Sequence, residues 1–190
     1  MTHPSAHMFD AGIDHFDAVA SQLTADDWQR PSPCAGWSAI DVLGHLGTAL
    51  AMGASLLKGE QPTFPEVDSP SELVDGEPYA WWKARSEEVR GALEGADLDL
   101  VMDTPMGPRT VADRLAFPAI DLYVHAWDIG RAAGIDVVVP DDAIAFTHSY
   151  LDPMPPEMMR SSGIMAPEVE PPADATATDA FIAWTGRDPR

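Results

Sequence analysis

The 190-residue chain predicts an all-α fold: a four-helix bundle with additional short C-terminal helices. Three observations predict it. Apolar residues recur at helical spacing in four long segments. Two of those segments open on capping boxes, Ser38 with Asp41 and Thr110 with Asp113. The best strand candidate, "DVVV" at 136–139, is too short to found a sheet. The length fits one domain, read as 1–190, with the bundle over about 5–134 and an extension over about 135–190.

The first helix spans 5–23, with Phe9, Ile13, Phe16, Ala20 and Leu23 inward and an acidic outer face. "DDWQRPSPCAGW" follows as a loop, with Trp28 and Trp37 pinning it to the core. The second helix, 38–58, buries Val42, Leu46, Ala49, Leu50, Gly53 and Leu57. An acidic linker with four prolines, "GEQPTFPEVDSPSELVDGEP", leads to a third helix from Tyr79 to Leu93, with Trp82, Val89 and Leu93 inward. "DLDLVMDTPMGPRT" reads as a loop with at most a short extended piece. The fourth helix starts at Thr110 and ends near Gly134, a natural C-cap. Pro118 reads as a kink within it that frees the carbonyl one turn back, on Arg114. A short helix, Asp141 to Tyr150, comes next. Residues 152–172 hold six prolines and four methionines and read as an ordered excursion or mobile lid without regular structure. A last helix runs from Asp174 to Trp184.

Composition narrows the function. A net charge of −20 repels nucleic acid and anionic lipid, so neither is an expected partner. Cys34 is the one cysteine, which forbids an internal disulfide and suits a reducing compartment. No apolar run approaches a membrane span, and the N-terminus lacks the basic-then-apolar order of a signal peptide. The expectation is a cytoplasmic protein acting on a small molecule, as a monomer or homodimer.

The fourth helix carries the chemistry. At 100° per residue, Leu115, Leu122, Ala126, Ile129 and Ala133 form its core stripe. Asp121, His125 and Asp128 fall within roughly 60° of one another on the shoulder of that stripe. Asp121 and His125, one turn apart, can converge on one point, the spacing of two metal ligands from one helix. His45 occupies the same kind of shoulder on the second helix, with Asp41 and Met52 beside it. Three N and O ligands, His45, Asp121 and His125, leave a position open, as catalytic metal sites do. The plainer alternative makes each histidine a hydrogen-bonded packing residue, and Asp128 a partner for Arg131 or Arg114.

The motifs resemble a known family. "DWQRPSPCAGWSAIDVLGHL" resembles the stretch W…P-T-P-C-x-G-W-x-x-x-D-x-x-x-H-L of the mycothiol-dependent maleylpyruvate isomerase metal-binding family, part of the DinB/YfiT-like group. "DLYVHAWDIGRAAG" is similar to its second signature, acid-x-x-x-H-x-W-D-L-x-R-A-x-G. The closing "TGRDP" resembles the end of small actinobacterial members. The resemblance implies a four-helix bundle holding a divalent metal, usually zinc, with nickel or iron as alternatives. It places the ligands on His45, Asp121 and His125. There are two departures. The isomerases use glutamate where this chain has Asp121, one methylene shorter, which draws the metal closer, weakens its hold or inserts a water. Residues 136–190 do not match the isomerases' C-terminal domain.

The resemblance implies mycothiol, or a similar low-molecular-weight thiol, as co-substrate of an S-transferase or isomerase. A hydrolase using metal-bound water and a non-catalytic binding module are the rivals. Asp128 is expected to support a ligand histidine from behind. Arg114 is expected to anchor a substrate carboxylate or to pair with Asp121. Cys34, placed on the order of 10–15 Å from His45 by helical rise, reads as a packed loop residue. His3, His7 and His15 read as solvent residues, and His148 as lacking an acid at ligand spacing.

Overall fold

The computed structural model describes residues 3–63, 65–104, 107–161 and 165–190, and it is helical as expected. Its helices are α1 (Pro4–Ala20), α2 (Ala39–Leu57), α3 (Pro78–Leu93), α4 (Val111–Arg114), α5 (Ala116–Ala133), α6 (Asp141–Leu151), α7 (Pro156–Ser161) and α8 (Ala177–Trp184). The chain divides into two compact units, Met1–Ile135 and Asp136–Arg190.

The first unit is the four-helix bundle. Its long helices are α1, α2, α3 and α5, with α5 against α1 and α2, and α2 against α3. Phe9, Ile13, Phe16, Leu46, Leu50, Trp82, Leu122 and Ile129 are fully buried between them. Each such side chain contributes roughly 1.5–3 kcal/mol by leaving water. Small residues set the spacing. A Cβ on Gly47 of α2 would lie 2.0 Å from the Trp81 ring, and one on Gly53 would lie 2.9 Å from Phe9. Polar ties between the helices include Trp82 Nε1 donating to Asp17 Oδ1 at 3.1 Å, the Tyr123 hydroxyl donating to the Met8 carbonyl at 3.1 Å, and Arg90 Nε donating to Asp10 Oδ1 at 3.0 Å.

The α2 helix is long and apolar enough to cross a bilayer by length and composition, which corrects the sequence reading. Two-thirds of its apolar window (67%) is buried inside the protein, because the helix meets neighbours on several sides. Loop 97–110 does contain an extended piece, a two-residue hairpin pairing Val101 with Thr110 and Met102 with Arg109. Pro105 and Met106 of that loop, and Phe64 of the acidic linker, lie outside the described residues.

The expected fourth helix is two helices. Leu115 ends α4 and caps α5, so Pro118 is the third residue of α5 rather than a mid-helix kink. A first-turn proline costs nothing there, since that N–H has no helical acceptor. Gly134 ends α5 in the left-handed conformation, φ 73°, as a C-cap glycine does.

In the second unit "DVVV" forms no strand among the described residues. Val137 and Val139 are buried and Val138 is exposed, and the Val139 N–H goes to the Thr178 hydroxyl at 3.0 Å. The proline- and methionine-rich segment holds a helix, α7, contrary to expectation; Ser162 to Ile164 lie outside the described residues. α8 starts later than Asp174, because the operative capping box is Thr176 with Asp179.

Candidate metal centre

The rotational phase of α2 is set at its first turn. Asp41 Oδ2 accepts from the Ser38 N–H at 2.9 Å and the Ser38 hydroxyl at 2.6 Å. Its Oδ1 accepts from the Ser71 N–H at 3.1 Å and from the Ser69 hydroxyl. Burial pushes the Asp41 acid up. The hydrogen bonds from Ser38, Ser69 and Ser71 outweigh it and hold the group well below the usual carboxylate range. Asp41 is therefore committed to the cap and the linker, not to His45. One turn further on, His45 faces α5.

From α5, Asp121 and His125 face His45. His45 Nε2 lies 3.6 Å from Asp121 Oδ2, and the His45 and His125 rings meet edge to face with centroids 5.0 Å apart. One donor atom from each of the three residues lies within 4.8 Å of the others. The cluster has an open side and a closed side: the His45 and Asp121 side chains are 36% and 40% exposed, and that of His125 is 8% exposed.

The closed side is built on Asp128, which is fully buried. His125 Nδ1 lies 2.7 Å from Asp128 Oδ2. A carboxylate accepts, so Nδ1 is the ring nitrogen placed to donate to Asp128. Three-residue spacing on one helix suffices for this contact.

Cys34 is where the sequence reading of the site needs correction. Its Sγ lies 3.2 Å from Asp128 Oδ2 and 3.9 Å from His125 Nδ1. Helical rise was the wrong ruler, because residues 31–38 fold back as a turn. Pro31 and Ser38 form an isolated β-bridge, the Ser32 N–H donates to the Trp37 carbonyl at 2.8 Å, and the Trp37 N–H donates to the Cys34 carbonyl at 2.9 Å. The same turn sets the Trp37 ring 5.2 Å from that of His45. The proline and glycine content signalled a turn but not its direction.

The other polar residues singled out by the sequence make contacts of their own. Arg114 ends α4, and its guanidinium donates to the Met102 sulfur at 3.6 Å. The break at Leu115 means that one helical wheel does not carry Arg114 onto the face of Asp121. His15 is not a solvent residue. It packs on Tyr123 with centroids 5.3 Å apart, its Nε2 is buried with no hydrogen-bond partner among the described residues, and burial lowers its pKa. His3 is half-buried, 3.8 Å from Asp99, and His7 is exposed. His148 does have an acid one turn away: its Nδ1 lies 3.2 Å from Asp152 Oδ1, a pair the sequence reading overlooked.

Two imidazoles and a carboxylate suit zinc and the neighbouring divalent transition metals. In a tetrahedral site with bonds of about 2.1 Å, donor atoms sit roughly 3.4 Å apart. The His45–Asp121 separation of 3.6 Å is close to that, so the shorter aspartate reaches as far as the donor set requires. The residues fit a divalent metal.

Fold and geometry define a class: a helical bundle that gathers two histidines and an acid from facing helices. The mycothiol maleylpyruvate isomerase N-terminal domain matches residues 9–130, and the chain belongs to that family. Its fold is similar to two crystal structures of the mycothiol-dependent maleylpyruvate isomerase. One carries a histidine-to-alanine substitution and is 12% identical; the other is 13% identical. In both, the TM-score is 0.62 over 77% of this chain and 68% of the other. A search of curated proteins gave no match.

Proposed function

We propose that this protein is a divalent-metal-dependent enzyme, most simply zinc-dependent, that uses mycothiol or a similar small thiol to transfer sulfur to, or isomerise, a small electrophilic substrate. The observation that carries the reading is the convergence of His45, Asp121 and His125. These three would hold the metal. When bound, a divalent cation supplies Lewis acidity that lowers the pKa of a coordinating thiol.

The chain's own residues divide the remaining work. Asp128 holds the His125 proton on Nδ1 and so keeps Nε2 available as a donor. Asp121 adds negative charge beside His45, which favours a cation between them. The half-exposed edge made by His45 and Asp121 is the side from which a thiol and a substrate enter. Arg114, whose described hydrogen bond is to a neutral thioether, is the proposed anchor for a substrate carboxylate.

The test uses protein replete with zinc, given mycothiol and an electrophilic or cis-alkene acid substrate. S-conjugate or isomer formation that needs both mycothiol and His125 supports the reading. Ester hydrolysis without thiol would replace it with a hydrolase, and binding without turnover with a sensor or carrier.

A further inference from the structure

We infer that Cys34 is a positioning residue: its sulfhydryl, acting through Asp128, fixes the orientation and tautomer of His125. The inference rests on the metal-site reading for its purpose, but not for its geometry.

A carboxylate as fully buried as Asp128 needs donors, or it costs the fold its desolvation energy. Two donors converge on the same oxygen, Oδ2: His125 Nδ1 at 2.7 Å and Cys34 Sγ at 3.2 Å. The sulfur is also within 3.9 Å of Nδ1, so the three atoms form a closed triangle. In that triangle the thiol stands beside the imidazole N–H and restrains the carboxylate from rotating away from it. A sulfhydryl suits the place. It is bulky enough to fill it, and it is a weak donor, so it competes little with the imidazole for the carboxylate charge.

The sulfur is itself held in place. The Cys34 N–H donates to the Ser32 hydroxyl at 3.2 Å, and that hydroxyl donates to the Trp37 carbonyl at 2.9 Å. The Trp37 N–H then closes the turn on the Cys34 carbonyl at 2.9 Å. One turn thus braces both histidines, His125 through Cys34 and Asp128, and His45 through the Trp37 ring.

The experiment compares wild type with Cys34→Val, which fills the place with an apolar side chain and no donor, and Cys34→Ser, which keeps a donor. Metal-free protein labelled with 15N-histidine reports the ring nitrogens by NMR, and cobalt titration of the same samples reports affinity. The expected result is an Nδ1-protonated His125 in wild type and in Cys34→Ser. In Cys34→Val the His125 signals should move while those of His7 and His148 stay in place, and cobalt affinity should fall roughly 10-fold, as losing support behind a ligand does. Valine and serine variants that behave alike, in ring signals and affinity, would overturn the proposal. If no sample takes up cobalt but valine alone moves the ring, the metal reading fails and the positioning role stands. If wild type binds cobalt and neither variant differs from it, the positioning role fails and the metal reading stands.

Discussion

His125 and Asp128 meet at 2.7 Å from positions three residues apart on α5, with the carboxylate fully buried. This contact gives the His125 imidazole a closed back and, in the proposed metal site, leaves its Nε2 to the metal. A salt bridge to a surface arginine would have left the ring free to rotate.

Asp128→Asn should therefore act on metal affinity without acting on the fold. The amide has the same shape but no charge, so its oxygen is a weaker acceptor for the His125 N–H. We expect a loss of roughly 10- to 100-fold in cobalt or zinc affinity, measured by competition with a chelating dye, at unchanged helical content. If Asp128→Asn abolishes binding while Asp121→Asn leaves it intact, Asp128 is itself the ligand and the two roles exchange.

Helical periodicity made His45, Asp121, His125 and Asp128 legible, because their positions on a helix follow from counting residues. Cys34 was not legible, because the direction of a turn depends on bonds such as Ser32 to Trp37 that no spacing announces. The same limit explains the fold. The buried stripes of α2 and α5 were readable. The break at Leu115 was hidden, because Thr110 caps only four helical residues before a second helix begins. "DVVV" alternates as a strand does, but a strand also needs a partner. Alternation marks burial, not pairing.

Gly44→Ala tests the close packing that seats the linker on α2. The added Cβ would fall 1.9 Å from the Pro70 carbonyl oxygen, a backbone atom that cannot swing aside. A loss of about 1–3 kcal/mol is expected, read as a lower urea midpoint.

Acid stability should fall in two windows. Burial lowers the His15 pKa below its ordinary 6.5. The unfolded chain then binds a proton that the folded chain refuses, so stability is full above about pH 6.5 and declines as the pH falls below it. Asp41, whose acid is also depressed, contributes stability above the ordinary carboxylate value of about 3.8 and loses it as the pH falls further. In urea melts across pH, His15→Gln should flatten the first decline and Asp41→Asn the second. A wild-type stability that stays level from pH 7 to 5 would contradict the His15 assignment.

The most direct test of the account is metal stoichiometry in a ligand series. Protein purified without chelator, or reloaded with zinc, should hold about one divalent ion per chain by elemental analysis. His45→Ala and His125→Ala should each lose it, Asp121→Asn should bind at least about tenfold more weakly, and His148→Ala should bind as wild type does. No uptake of zinc, nickel, iron, manganese or cobalt, or full uptake by both histidine variants, would contradict the central claim.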